Sequence, residues 1–157
     1  MLILGIDPGT QTTGYGLIKK DGRALLHIDN GVISPKQKLS LSEKLSHIYT
    51  ELKKIIEAAK PDAMAIEEVF LANNARSALI LGHARGVAML AASSSGIPVH
   101  EYSTREIKKA VVGYGNADKN QVAQMVKNLL KLPEVAASDA ADALAAAICC
   151  AAYKKLE

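Results

Sequence analysis

Carboxylates that end apolar runs are the residues of this chain whose types and spacing can do chemistry. In Leu2-Ile3-Leu4-Gly5-Ile6-Asp7-Pro8-Gly9-Thr10 an apolar segment closes on Asp7, and Pro8-Gly9 turns the chain into a second apolar run, Gly14-Tyr15-Gly16-Leu17-Ile18. Ala63-Met64-Ala65-Ile66-Glu67 repeats the pattern and closes on Glu67. Asp139 and Asp142 stand three apart at the start of an Ala-rich helix, so both project from one face. Each has a plainer reading. Asp before Pro-Gly caps a bend through its own side chain, and acids at a helix N-terminus gain about 0.3–1 kcal/mol from the macrodipole. Their company argues for more. If the two strands are neighbours and the helix starts over the same sheet edge, the carboxylates share one place, where a pair about 4 Å apart repels by about 4 kcal/mol at an effective dielectric near ~20. No lysine, arginine or histidine adjoins any of them in sequence, so a divalent cation is the natural counter-charge, and oxygen donors select Mg²⁺ or Mn²⁺ over zinc. Two such ions about 3.5–4 Å apart suit in-line displacement at a phosphate, one activating water and the other stabilising the leaving 3′ oxygen. Asp7, Glu67, Asp139 and Asp142 are thereby predicted as ligands and catalytic groups together.

The elements that must position them follow from the pattern. Asp21-Gly22 makes a second turn, and residues 23–34 read as a third strand antiparallel to its neighbour. Leu41, Leu45, Ile48, Leu52, Ile55 and Ala59 recur three and four apart, an amphipathic helix on one sheet face, which Lys60-Pro61-Asp62 ends. The strand closing on Glu67 then completes a β-α-β crossover. A connecting loop over 68–74 precedes a helix over 75–95, a strand over 97–102, a short helix over 104–112 and a Gly-Tyr-Gly-Asn loop, mobile by composition. A helix over 118–131 follows, with Val122, Met125, Val126, Leu129 and Leu130 as its buried stripe. The last helix runs from Ser138 to about Lys154. This predicts one α/β domain over residues 1–157, with a five-stranded mixed sheet covered by helices on both faces.

The 157 residues suffice to bury an ordinary core. No run approaches the roughly 18 apolar residues of a membrane span, and Met1 opens straight into a strand, so no membrane attachment and a cytoplasmic location are expected. Cys149 and Cys150 are neighbours, too close for normal disulfide geometry, and read as reduced helix residues. His27, His47, His83 and His100 share no spacing and receive no chemistry. The net charge of +3 conceals its distribution: setting four of the 16 acidic residues aside in a metal site leaves 12 against 19 basic ones, an excess of 7. A polyanion is a reasonable partner.

Three of these stretches, in order, resemble a known family. Gly5-Ile6-Asp7-Pro8-Gly9-Thr10 with Gly14-Tyr15-Gly16, then Ala65-Ile66-Glu67-Glu68-Val69-Phe70, then Ser138-Asp139-Ala140-Ala141-Asp142-Ala143-Leu144 look like the RuvC family of bacterial Holliday-junction resolvases. Gly82-His83-Ala84-Arg85-Gly86 and Val111-Val112-Gly113-Tyr114-Gly115 extend the match over essentially the whole chain. The resemblance implies an RNase H-like fold and a homodimer that nicks opposed strands of four-way junction DNA symmetrically with Mg²⁺ or Mn²⁺. It also implies partnership with the RuvA–RuvB branch-migration complex and a preference for a short T-rich cleavage sequence. The four acidic positions match one by one. A sugar-kinase-like or actin-like ATPase also opens with an apolar run, Asp, x, Gly, Thr, but this chain has neither the duplicated domain nor a second glycine-rich loop.

Around the carboxylates the readings divide. Phe70, three residues after Glu67, is either a core aromatic or, as the resemblance implies, a rim residue that stacks on a base. Arg76, Lys108 and Lys119 are phosphate contacts or parts of solvated helix faces; Lys53, Lys54, Lys154 and Lys155 are taken as the latter. Tyr114, between two glycines, lies in a loop near DNA or in the core. The helix with Gly82, Ala84 and Gly86 packs on the sheet or, by resemblance, also against a second copy.

Overall fold

The computed structural model describes residues 1–68 and 74–153. Strands β1 (Leu2–Asp7), β2 (Thr13–Asp21), β3 (Ala24–Ile33), β4 (Ala63–Glu67) and β5 (Val99–Tyr102) form one sheet in the order β3-β2-β1-β4-β5. The first three are antiparallel neighbours, with Gly22 at φ +57° serving the second turn. β4 runs parallel to β1, and β5 parallel to β4. Helices α1 (Leu41–Ala59), α2 (Ala75–Ser93), α3 (Thr104–Val112), α4 (Lys119–Leu130) and α5 (Ser138–Tyr153) complete the chain. This is the mixed sheet, sheathed on both faces, expected of an RNase H-like fold.

Local chemistry fixes the boundaries. Ser40 with Glu43, Ser103 with Glu106 and Asp118 with Gln121 form reciprocal capping boxes that start α1, α3 and α4. Lys60 and Lys131 take the left-handed conformation, at φ 51° and 54°, as α1 and α4 end. On one sheet face Leu4, Ile6, Leu17, Met64 and Ile66 meet Ile48, Leu52 and Ile56 of α1 and Ala88, Ala91 and Ala92 of α2. On the other, Ile3, Ile18 and Ala65 meet α5, which α3 and α4 cover in turn through Ile107, Val111, Val122, Val126 and Leu130.

α5 is buried on nearly every side, from Ala140 to Ala151 save Asp142, which its almost uninterrupted apolar composition permits. Two glycines set its depth. A Cβ on Gly5 would lie 1.8 Å from the carbonyl oxygen of Ala143, and one on Gly14 would lie 2.0 Å from that of Asp139. The helix backbone therefore rests on the bare backbone of β1 and β2, and its acidic first turn comes down to the end of β1.

Three details depart from the sequence reading. Leu129 is 38% exposed, because the buried stripe of α4 follows Val122, Val126 and Leu130 at four-residue intervals. β5 begins at Val99 and not at Ile97, whose N–H bonds the carbonyl of Ala92 beneath α2, while Pro98 has no N–H to offer a ladder. The buried face of α1 runs through Lys44, Ile48, Leu52 and Ile56, so that Leu41 is 40% exposed and Ile55 only half-buried. In α2, Ala84 is buried, and Gly82 and Gly86 face open space in the single chain.

Candidate metal centre

Register assembles the carboxylates. Ile6 pairs with Ile66, so Asp7 and Glu67 end adjacent parallel strands, and Asp7 pairs with Gly14, the residue on which Asp139 rests. Asp7, Asp139 and Asp142 each offer an oxygen, all within 4.8 Å of one another, and all are half-buried. Glu67 lies at the margin of this group, its carboxylate accepting a hydrogen bond from the Thr104 hydroxyl at the start of α3. Asp139 accepts one from the Thr12 hydroxyl at 2.5 Å. Thr13, fully buried, holds the intervening turn: its hydroxyl donates to the Gly9 carbonyl at 2.7 Å and accepts the Gly9 N–H at 3.3 Å.

The electrostatics show what this proximity costs. Burial, then Asp142, Asp139 and Glu67 in that order, push the Asp7 carboxyl up to about 7, with Lys119 acting in opposition. Lys119 reaches from α4 to place its Nζ 2.9 Å from Asp142, and that hydrogen bond raises its own pKa. Sequence adjacency concealed this cation. It does not balance the site: Lys119 pairs with Asp142 alone, and burial together with the neighbouring acids still holds the Asp7 carboxyl well above the usual carboxylate range. An all-oxygen donor set short of positive charge fits a hard divalent cation.

The carboxylates divide two clefts. One, of about 440 Å³, is lined by Asp7, Pro8, Gln11, Ser77, Ile80 and Asp139 among others. The second, of about 250 Å³, is lined by Glu67, Thr104, Ile107, Lys108, Lys119, Val122, Asp142 and Ala145. Lys108 and Lys119 thus line the same cleft, and the exposed Arg76 precedes Ser77 of the other. Tyr114 is 47% exposed, in the loop between α3 and α4 and outside the core. Phe70 lies outside the described residues, as do Lys154 and Lys155.

The family model described as crossover junction endodeoxyribonuclease RuvC matches residues 3–150. The chain belongs to the RuvC family. The RuvC of Geobacter sulfurreducens is 56% identical over 149 residues, 95% of this chain and 91% of that one. That of Legionella pneumophila is 53% identical over 148 residues, 94% of this chain and 85% of its own. Thermus thermophilus RuvC, solved in complex with a Holliday junction substrate, matches with a TM-score of 0.92 at 32% identity, covering 98% of this chain and 94% of that chain. The yeast mitochondrial Holliday junction resolvase Ydc2 shares the fold at 13% identity, with a TM-score of 0.69 over 95% of this chain and 78% of its own.

Within this RuvC-family chain, the residues that sequence reasoning passed over hold the carboxylates from outside. Thr12 and Thr104 are the hydroxyl donors just described. Arg85 of α2 holds backbone instead of a site carboxylate: its Nε donates to the backbone carbonyl of Glu67 at 3.2 Å, and its Nη2 pairs with Glu101 of β5. Arg85 lies inside Gly82-His83-Ala84-Arg85-Gly86, yet nothing in residue type or spacing ties it to Glu67. Among the described residues no helix is long and apolar enough to cross a membrane.

Proposed function

We propose that this chain is a single nuclease domain that resolves four-way (Holliday) DNA junctions in recombination and repair, cutting two opposed strands symmetrically to leave 5′-phosphate and 3′-hydroxyl ends. The observation that carries the reading is the acidic group of Asp7, Asp139 and Asp142 beside Glu67, set between two clefts in a chain that matches RuvC proteins over nearly its whole length. Asp7, Glu67, Asp139 and Asp142 are the residues that would hold Mg²⁺, two ions per subunit, with Mn²⁺ able to substitute. Bound there, the metal supplies charge neutralisation and a water acidic enough to attack a phosphodiester.

The protein's own groups do the rest. Thr12 and Thr104 keep Asp139 and Glu67 from turning away, and the walls formed by Ile107, Val122 and Ala145 limit water on one side of the site. Lys119 is poised between roles, paired with Asp142 when the acids lack other counter-charge and free to turn to a strand phosphate otherwise. Lys108 and Arg76 extend basic charge into the two clefts, and Tyr114 and Phe70 are assigned to the DNA, Phe70 as a base-stacking residue at the crossover. A homodimer is supported by the outer face of α2, where Leu79 and Leu90 are 67% and 58% exposed beside Gly82 and Gly86. Cooperation with RuvA–RuvB belongs to the same reading.

An end-labelled synthetic four-way junction in Mg²⁺, compared with linear duplex of the same sequence and with Asp7→Asn, tests it. Paired symmetric nicks on the junction alone, abolished in the variant, are expected. Tight junction binding without nicks would leave a recognition protein, and equal cutting of linear duplex would remove the junction assignment.

A further inference from the structure

The peptide plane that follows Glu67 is held at both ends. Its N–H, that of Glu68, donates to the Tyr102 carbonyl at 2.8 Å, extending the ladder between β4 and β5. Its carbonyl, that of Glu67, accepts from Arg85 Nε at 3.2 Å. Together these fix ψ of Glu67 at the point where the chain leaves the sheet, and with it the direction in which the Glu67 side chain sets out. Arg85 is itself immobilised. Its side chain is 17% exposed, its Nη1 lies 3.4 Å from Met89 Sδ, and its Nη2 pairs with Glu101, which stands opposite Ile66 in the parallel ladder. A planar guanidinium can meet the carbonyl and the carboxylate at once, whereas an ammonium offers no such fork.

We propose that Arg85 is a positioning residue for Glu67: anchored on Glu101, it holds the Glu67 carbonyl so that the Glu67 carboxylate is presented toward Asp7, Asp139 and Asp142, and it thereby sets the affinity of the group for divalent cation. The inference rests on the metal reading of the site. It extends outward by one step the rule that partners behind metal ligands are worth roughly ten- to a hundredfold in metal affinity. The competing view is that Arg85 merely ties α2 to the sheet, which would cost stability and leave the site alone.

The two are separated by titrating the DNA-free protein with Mn²⁺, following free ion by electron paramagnetic resonance, beside the thermal midpoint of each variant. Arg85→Lys, which keeps the charge and loses the fork, is expected to weaken Mn²⁺ binding about tenfold with little change in midpoint. Glu101→Gln, which leaves Arg85 in place without its anchor, should shift affinity in the same direction by a smaller factor, and it serves if Arg85→Lys folds poorly. Mn²⁺ affinity within twofold of wild type in both variants, with or without a fall in midpoint, would overturn the proposal. If wild type and Asp7→Asn bind Mn²⁺ equally, the metal reading itself fails and the inference falls with it.

Discussion

Asp7 concentrates the charge problem of the site in one group, and its pH behaviour is the clearest residue-scale consequence. Its carboxyl is raised from 3.8 to about 7, first by burial and then by three neighbouring acids. A folded-state pKa above the unfolded one means that the native chain binds more protons across that window. Stability of the cation-free protein therefore falls as pH rises from about 4 to about 7, and levels off above. The proton that the fold retains is worth at most about 4 kcal/mol, and solvent at this partly open site reduces it to about 1–3 kcal/mol. Asp7→Asn should thus melt several degrees above wild type at pH 8 in EDTA and alongside it at pH 3. Thermal scans at the two pH values check this, and a difference independent of pH would refute it. The same proton must leave when metal binds, so wild-type Mn²⁺ affinity should climb by up to about tenfold per pH unit below 7 and flatten above; isothermal titration from pH 5.5 to 8.5 would show the break.

At the scale of elements, the depth of α5 decides whether the acids meet at all. Gly14 puts no side chain between β2 and Asp139, and a Cβ there would stand 2.0 Å from a backbone oxygen that cannot swing aside. Gly14→Ala is therefore expected to lift the first turn of α5, costing about 1–3 kcal/mol in chemical denaturation and weakening Mn²⁺ binding beyond what the loss of stability explains. Unchanged ion affinity would mean that α5 yields without moving its acids. The sequence exposed the carboxylates but not this seat. Asp7 and Glu67 were legible because each closes an apolar run on a charge, and the extent of α1, Leu41–Ala59, was legible because its apolar residues recur at helical spacing and Lys60-Pro61 stops it; the face it buries, through Lys44, Ile48, Leu52 and Ile56, was legible only in part. The contacts of Lys119 with Asp142, Thr12 with Asp139 and Arg85 with Glu67 join residues 23, 127 and 18 positions apart. No local periodicity encodes such pairs; they exist only once the sheet order is set. Leu129 failed for the opposite reason, since its type and spacing suited the stripe and only the edge of the packed face excluded it.

The whole molecule poses a question of symmetry. A four-way junction offers two equivalent strands, so paired cutting calls for two carboxylate sites related by a two-fold axis, and an isologous contact supplies that relation most directly. The outer face of α2 is suited to it: Leu79 and Leu90 stand exposed with Gly82 and Gly86 between them, and a Cβ on either glycine meets nothing within 4 Å in the single chain. That openness makes Gly86→Glu a clean test, because replacing a helix-interior glycine costs the isolated chain no clash and gains helix propensity of several tenths of a kcal/mol, while a buried carboxylate would be intolerable between two copies. If this face is the two-fold contact, the variant sediments as a monomer at concentrations where wild type sediments as a dimer, and it binds Mn²⁺ as wild type does. It should lose paired nicking of the junction by at least a factor of about ten, because a contact worth about 1.4 kcal/mol already commands that ratio. A variant that remains dimeric and still cuts both strands would move the two-fold contact elsewhere on the molecule. A monomer that cuts both strands at the wild-type rate would show that two successive visits by single subunits suffice, and that the symmetry of the product resides in the junction alone.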